Sequence, residues 1–383
     1  MRPNLVLGGD AAAQGPAARK SESGEPLLFL KNLINAPSPS GYEEPAARVW
    51  MERTRRFATI RTDVHGNVIG IINPAARLKV MLAGHIDEIG YQVKSVDPSG
   101  FLYIWPIGGV DPGLVPGQRV MINNKVLGVV GHRPSYGQGA TSYSWIAAFS
   151  NMWIDIGATS KAEALSLVNI GDPVVNAAGF EVLRGSRVIG RGFDDRVGSF
   201  AVSECLRLLS QKKPAVGVYG VATVQEELGL RGARTSTFGI DPAIGIAIDV
   251  THSTDVPGRD AWLSGEVKLG AGPVIARGPN VNHRLFALIL KTAKEEGIPH
   301  QVVAEPWPTG TDANVMQITR AGVATALISI PNRYMHSSVE MVDVEDLNNV
   351  ARLVSAVISR LGEGVDLRPY GEPEAGVGEQ RRE

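Results

Sequence analysis

A chain of 383 residues, 44% of them apolar, has material for two or three domains and a sizeable buried core, and it lacks the run of about 18 apolar residues that a transmembrane helix needs. Acids and bases nearly cancel to a formal net charge of −1, so the electrostatic footprint of a nucleic-acid or anionic-membrane binder is missing. The one cysteine, Cys205, can form no internal disulfide, which fits a reducing cytoplasm. With Val202, Leu206 and Leu209 it forms one apolar helical stripe, the setting of a packed thiol rather than a reactive one.

Residues 1–23 are small, polar and aperiodic and read as a flexible extension. They lack the apolar segment of a secretory signal, so export is not expected. Helical spacing follows over 27–34 and 43–56. TDVHGNVIGII places turn chemistry at His65-Gly66-Asn67 between strand-like runs, and LKVMLAG (78–84) is a buried-strand pattern that ends at a histidine. From about Val93 to Ile189 the chain turns to short β-branched runs rich in Gly and Pro (FLYIWPIGG, QRVMINN, KVLGVVG, DPVVNAA, FEVLRG), which predicts a small all-β domain over 94–189. Helix and strand alternation then resumes, with helices expected over 196–210, 284–296 and 344–361 and strands over 215–223 and 243–250. Residues 363–383 read as a flexible tail. The architecture that results is an α/β domain (24–93 and 190–362) with an all-β insertion.

Polar clusters recur where the apolar strands end, the place where open α/β sheets bind ligands. AGHIDEIG puts His85 and Asp87 two residues apart, so a continuing strand would set them on one face, and a carboxylate there can take the second ring N–H of a metal-binding histidine. In GRGFDDRVG, Asp194 and Asp195 precede a helix; they can be N-caps, or Asp194 can bridge two cations. GVATVQEELGLRGA carries adjacent glutamates, Glu226 and Glu227, which are costly to bury without partners; a charged turn is the bland alternative. Asp249 and His336 end two further strand-like runs, AIGIAIDV and IPNRYMH. Together, two histidines, an aspartate able to bridge, a glutamate and a second aspartate form a ligand set for two cations such as Zn²⁺ or Co²⁺, and a second glutamate can act as base. No P-loop, G-x-G-x-x-G after a strand or G-x-S-x-G competes with this reading. Asp312 in GTDA faces either substrate or a turn, and His252 either substrate or solvent. His65, His132, His283 and His300 read as structural or solvated.

AGHIDEIG, FDDRVG, VQEELGLRGA, IDVTHSTDVPG, KLGAGPVI, GTDA and RYMHSSVEMVD follow one another in this order. Over residues 25–362 the chain thereby resembles the dinuclear metallo-aminopeptidases of metallopeptidase family forty-two, the glutamyl, leucyl and deblocking aminopeptidases that assemble as tetrahedral dodecamers. Some members are described as endoglucanases. The resemblance implies a mixed-sheet, zinc-peptidase-like catalytic domain whose β-barrel-like insertion serves dimerisation. It further implies Asp194 as the bridging ligand, His85 and Asp249 completing one metal site, and Glu227 and His336 the other. Glu226 would be the general base, Asp87 the residue that orients His85, and the Asp194–Asp195 peptide would be cis. Short peptides would be the substrates and copies of the same chain the partners, with two divalent ions per subunit. A glycosidase would need two carboxylates flanking a sugar bond rather than histidines and carboxylates around cations.

Overall fold

The computed structural model describes residues 24–133 and 148–371; the extension expected over 1–23 and the tail beyond 371 lie outside the described residues. After the helices Gly24–Asn35 and Glu44–Thr54 come strands β1 (Thr59–Thr62), β2 (Val68–Ile72) and β3 (Lys79–His85). Six strands then close a barrel in the order β4-β5-β8-β7-β6-β9: β4 (Gly90–Val96), β5 (Leu102–Ile107), β6 (Arg119–Ile122), β7 (Val126–His132), β8 (Met152–Asp155) and β9 (Pro173–Asn176). Tyr91, Val93, Leu102, Ile104, Val120 and Ile154 point into the barrel and form a core of its own.

The stretch expected as one all-β domain divides at the barrel's end. β10 (Glu181–Val182), within FEVLRG, and β11 (Arg187–Gly190) leave the barrel, and β11 pairs antiparallel with β17 (Glu340–Asp343) in a three-stranded sheet. Period-2 patterning cannot say which sheet a strand joins. The remaining strands are β12 (Gly217–Thr223), β13 (Ile244–His252), β14 (Val274–Arg277), β15 (Gln301–Ala304) and β16 (Ala324–Asn332). With the first three they build an eight-stranded mixed sheet, ordered β1-β2-β12-β3-β13-β16-β14-β15.

At its centre β12, β3, β13 and β16 run parallel. Every residue of β12 is buried, as are all but the first of β3, the signature of strands covered on both faces. The helix Phe193–Lys212 packs on β3 so closely that a Cβ at Gly84 would lie 2.5 Å from the Gly198 carbonyl carbon and 2.6 Å from the Ser199 nitrogen. Only a residue without a side chain permits that approach. The helix Val344–Ile358 starts where Asp343 accepts the Glu345 N–H (3.0 Å) and buries Leu347, Val350, Ala351 and Val354 at helical spacing. Residues 363–371, read as part of the tail, lie against the body instead. Val365 and Leu367 pack on the core, and Asn282 donates to the Leu367 carbonyl at 2.8 Å. Val365 and Leu367 are too few to register as a periodic pattern, and the polar contacts come from Asn282 and Arg284, 85 and 82 positions from their partners. Among the described residues no helix is long and apolar enough to cross a membrane.

Candidate metal centre

His85 is the last residue of β3 and Asp249 sits near the end of β13, so the parallel register carries both to the carboxyl edge of the sheet. Glu226 and Glu227 follow β12. His336 follows β16, and Asp194 begins the long helix. All six side chains line one cavity of about 330 Å³, together with Val250, Thr251, His252, Glu305, Met335 and the 309–311 loop.

Asp194 stands between the two histidines. Its Oδ1 lies 3.1 Å from His85 Nε2 and its Oδ2 lies 3.0 Å from His336 Nε2. Around His85 Nε2 are also Glu226 Oε2 (3.8 Å) and Asp249 Oδ1 (4.0 Å), while Glu227 Oε1 is 3.3 Å from His336 Nε2. Each imidazole is held through its other nitrogen by a main-chain carbonyl: His85 Nδ1 is 3.1 Å from the Asp87 oxygen and His336 Nδ1 is 3.0 Å from the Gly109 oxygen. That contact leaves both Nε2 atoms facing the carboxylates. The second is supplied by the loop after β5. There a Cβ on Gly109 would sit 3.3 Å from the His336 ring and one on Gly108 would sit 3.3 Å from Glu227 Cβ.

The adjacent acids separate into different tasks. The peptide between Asp194 and Asp195 is cis. Asp195 accepts the Gly198 N–H (3.0 Å) through Oδ1 and the His85 N–H (3.1 Å) through Oδ2, so capping describes Asp195 while Asp194 turns to the histidines. Donor atoms of His85, Asp195 and Asp249 do lie within 4.8 Å of one another, as do those of His85, Asp194 and Glu227. Asp195's oxygens are already committed, which leaves Asp194 as the better ligand. Gln225, at φ +53°, turns the chain just before Glu226 and Glu227. The N–H groups of the turn are taken by carboxylates: Gln225's by Glu43 (3.2 Å), Glu226's by Asp87 Oδ1 (3.0 Å) and Glu227's by Asp87 Oδ2 (3.2 Å). The Asp87 carboxylate is farther from His85 Nδ1, at 3.5 Å. Asp87 thus serves both, its carboxylate holding the glutamate turn and, with its main-chain carbonyl, facing the His85 ring.

Burial dominates the electrostatics. It pushes Glu226 up to about 10, with Asp249, Asp312 and Glu227 adding to the rise against the opposing pull of His85. Burial raises Asp249 and Glu227 as well. For His85, burial alone would lower the pKa, but Glu226, Asp194 and Asp87 outweigh it and hold the ring well above its usual range. Asp194 and Glu227 push His336 up to about 11. So many buried acids around two rings form a site short of positive charge. Buried Glu227 Oε1 has only the His336 ring beside it, at 3.3 Å, which leaves it coordinating capacity for a cation. Carboxylate and imidazole donors of this kind suit Zn²⁺ or Co²⁺.

Two contributors escape sequence reading. Glu340 on β17, 1% exposed, accepts the N–H groups of Asp194 (2.8 Å) and His336 (2.9 Å), and burial pushes it up to about 8. Glu43 supports the glutamate turn from the start of the helix Glu44–Thr54. Either carboxylate alone reads as an ordinary surface acid; the signal available was Glu340's place in an apolar run, VEMVD. Asp312 does not reach the cavity wall: it is buried and accepts from Thr223 Oγ1 at 2.6 Å. His252 does reach the wall.

The profile of the M42 glutamyl aminopeptidases matches residues 66–353. The chain belongs to the M42 glutamyl aminopeptidase family. It is thus a peptide hydrolase of a metallopeptidase family. A lysyl aminopeptidase of Pyrococcus furiosus is 40% identical over 340 residues, which are 87% of this chain and 96% of that protein. The TET aminopeptidase of the marine sediment archaeon Thaumarchaeota archaeon SCGC AB-539-E09 superposes with a TM-score of 0.84 at 33% identity, covering 89% of this M42 chain and 98% of its own. The Pyrococcus horikoshii TET1 peptidase, which can assemble into a tetrahedron or a large octahedral shell, gives 0.78 at 31%, covering 88% and 100%.

Proposed function

We propose that this M42 chain removes N-terminal residues from short peptides with two divalent cations and Glu226 as general base. The observation that carries the reading is Asp194 presenting one oxygen to each histidine, 3.1 and 3.0 Å away. His85 and Asp249 would hold one ion, Glu227 and His336 the other, and Asp194 would serve both. Bound there, zinc or cobalt ions supply Lewis acidity that makes a water more acidic and polarises the scissile carbonyl. Glu226, which faces the cavity and is not one of the five ligands, takes the proton of the attacking water and delivers it to the leaving amine. Its carboxylate, whose pKa burial raises, would be ionised and free to accept once the positive charge of bound cations offsets that burial. Asp87 and Glu43 keep the glutamates apart by holding the backbone of the 225–227 turn, and Glu340 does the same for Asp194 and His336.

The barrel is the surface we assign to pairing of copies, and the TET relatives are the reason to expect a closed assembly larger than a dimer. A cytoplasmic setting belongs to the same reading, since a chain with a single cysteine forms no internal disulfide. The test is elemental analysis combined with release of nitroaniline from aminoacyl-nitroanilides. Two divalent ions per chain and activity abolished by a chelator are expected. Hydrolysis that persists in a protein holding no metal would overturn the site.

A further inference from the structure

One carboxylate in the cavity has no part in the site just described. Glu305 follows β15 and lines the same 330 Å³ space as His85, Glu226 and His336. Its main chain is fixed: its N–H donates to the Arg277 carbonyl at 2.9 Å, and Gly278 approaches so closely that any Cβ there would collide with the Glu305 carbonyl. The side chain, by contrast, has no hydrogen bond or ion pair among the described residues. Partial burial is the only influence on its acidity and raises it.

The other cavity acids each have an N–H or an imidazole close by. Two divalent cations would also balance Asp194, Glu226, Glu227 and Asp249 charge for charge, leaving Glu305 as the unmatched negative group. Among the described residues no lysine or arginine lines the cavity. His252 is held below its usual pKa by burial and by Arg259 and offers no counter-charge near neutral pH. The remaining walls, Val250, Thr251 and Met335 among them, suit the methylene stem of a long side chain. A partly desolvated carboxylate on a fixed stretch of main chain, lining the same cavity as the candidate ligands, is complementary to a cation that the substrate brings.

We propose that Glu305 receives the ammonium or guanidinium of a basic N-terminal residue, so that peptides beginning with lysine or arginine are the preferred substrate class. This rests on the aminopeptidase reading above. The family's description names glutamyl activity and one relative is a lysyl enzyme, so kinship alone does not choose between an acidic and a basic preference.

The test compares kcat/KM for lysyl-, leucyl- and glutamyl-p-nitroanilide on metal-loaded full-length protein. The lysyl substrate is expected to exceed the leucyl one by about tenfold or more, with the advantage shrinking in 1 M salt. Glu305→Gln should lower the lysyl-to-leucyl ratio about tenfold, chiefly through KM, and Glu305→Lys should turn the preference toward the glutamyl substrate. A wild-type ratio near one, or a ratio unmoved in Glu305→Gln with two metals still bound, overturns the assignment while leaving the aminopeptidase reading intact. Failure of the loaded protein to cleave any of the three would instead remove the reading on which the assignment stands.

Discussion

Glu226 and Glu227 are neighbours in sequence with different surroundings, one 3.8 Å from His85 and the other 3.3 Å from His336. Substituting each by glutamine separates their tasks. Glu226→Gln keeps shape and removes only the ability to accept a proton, so kcat should fall by about 10²–10⁴-fold with both metals retained. Glu227→Gln replaces an anionic ligand by a neutral amide and should lower metal content measured by elemental analysis. The reverse pattern would exchange the roles. A second consequence concerns protons. His85 and His336 have raised pKa values in the metal-free chain, so both rings are protonated at pH 7. A cation binds the neutral ring and the ionised carboxylate, so binding must expel protons from the two rings and from the acids that burial raises, Asp249 and Glu227 among them, and affinity must rise with pH. Calorimetric titration of metal in buffers of different ionisation enthalpy measures this directly; heats independent of the buffer would contradict it.

At the scale of elements, the site depends on β3 and the helix Phe193–Lys212 lying backbone to backbone. They carry His85 and Asp194 respectively, and the contact at Gly84 leaves no space for a methyl group. Gly84→Ala must push the strand and helix apart, with backbone rather than a pliable side chain in the way. Overpacking of this sort costs about 1–3 kcal/mol. The denaturant midpoint should fall and metal retention should weaken with it, because the two ligands move with their elements. An unchanged midpoint would show that the contact relaxes freely. The loop after β5 couples the barrel to the same centre, since Gly109 lends its carbonyl to His336 and Gly108 abuts Glu227.

For the whole molecule, the barrel has its own hydrophobic core and stands apart from the main sheet. It exposes Trp105, Leu127 and Val129 on its strands, apolar surface that association between copies would cover. Light scattering at micromolar concentration should therefore find an assembly larger than a dimer, as for the TET1 peptidase. A monomer alone would count against it. Because His336 leans on the barrel loop, conditions that break the assembly are the ones under which metal loss is worth measuring.

Much of this was legible from residues alone. The runs LKVMLAG, GVYGVAT and IGIAIDV are continuous in apolar character because parallel strands are covered on both faces, so β3, β12 and β13 and their polar ends could be located before any coordinates. Residue type and motif order nominated His85, Asp194, Glu226, Glu227, Asp249 and His336, each weak alone and carried by their conjunction and the family resemblance, and the fold brings all six to one cavity. Tertiary structure alone decided that Asp195 caps the helix and takes the His85 N–H, that Asp87 holds the glutamate turn, and that Glu340 and Gly109 fix His336. Most of those contacts join residues more than a hundred positions apart, and all of them run through main-chain N–H or C=O groups. Every residue but proline carries both groups, so no side-chain pattern marks the ones a fold will use. The same reason hides the pairing of β11 with β17 and the isolation of Glu305, which are properties of what surrounds a residue in space and not of the residue itself.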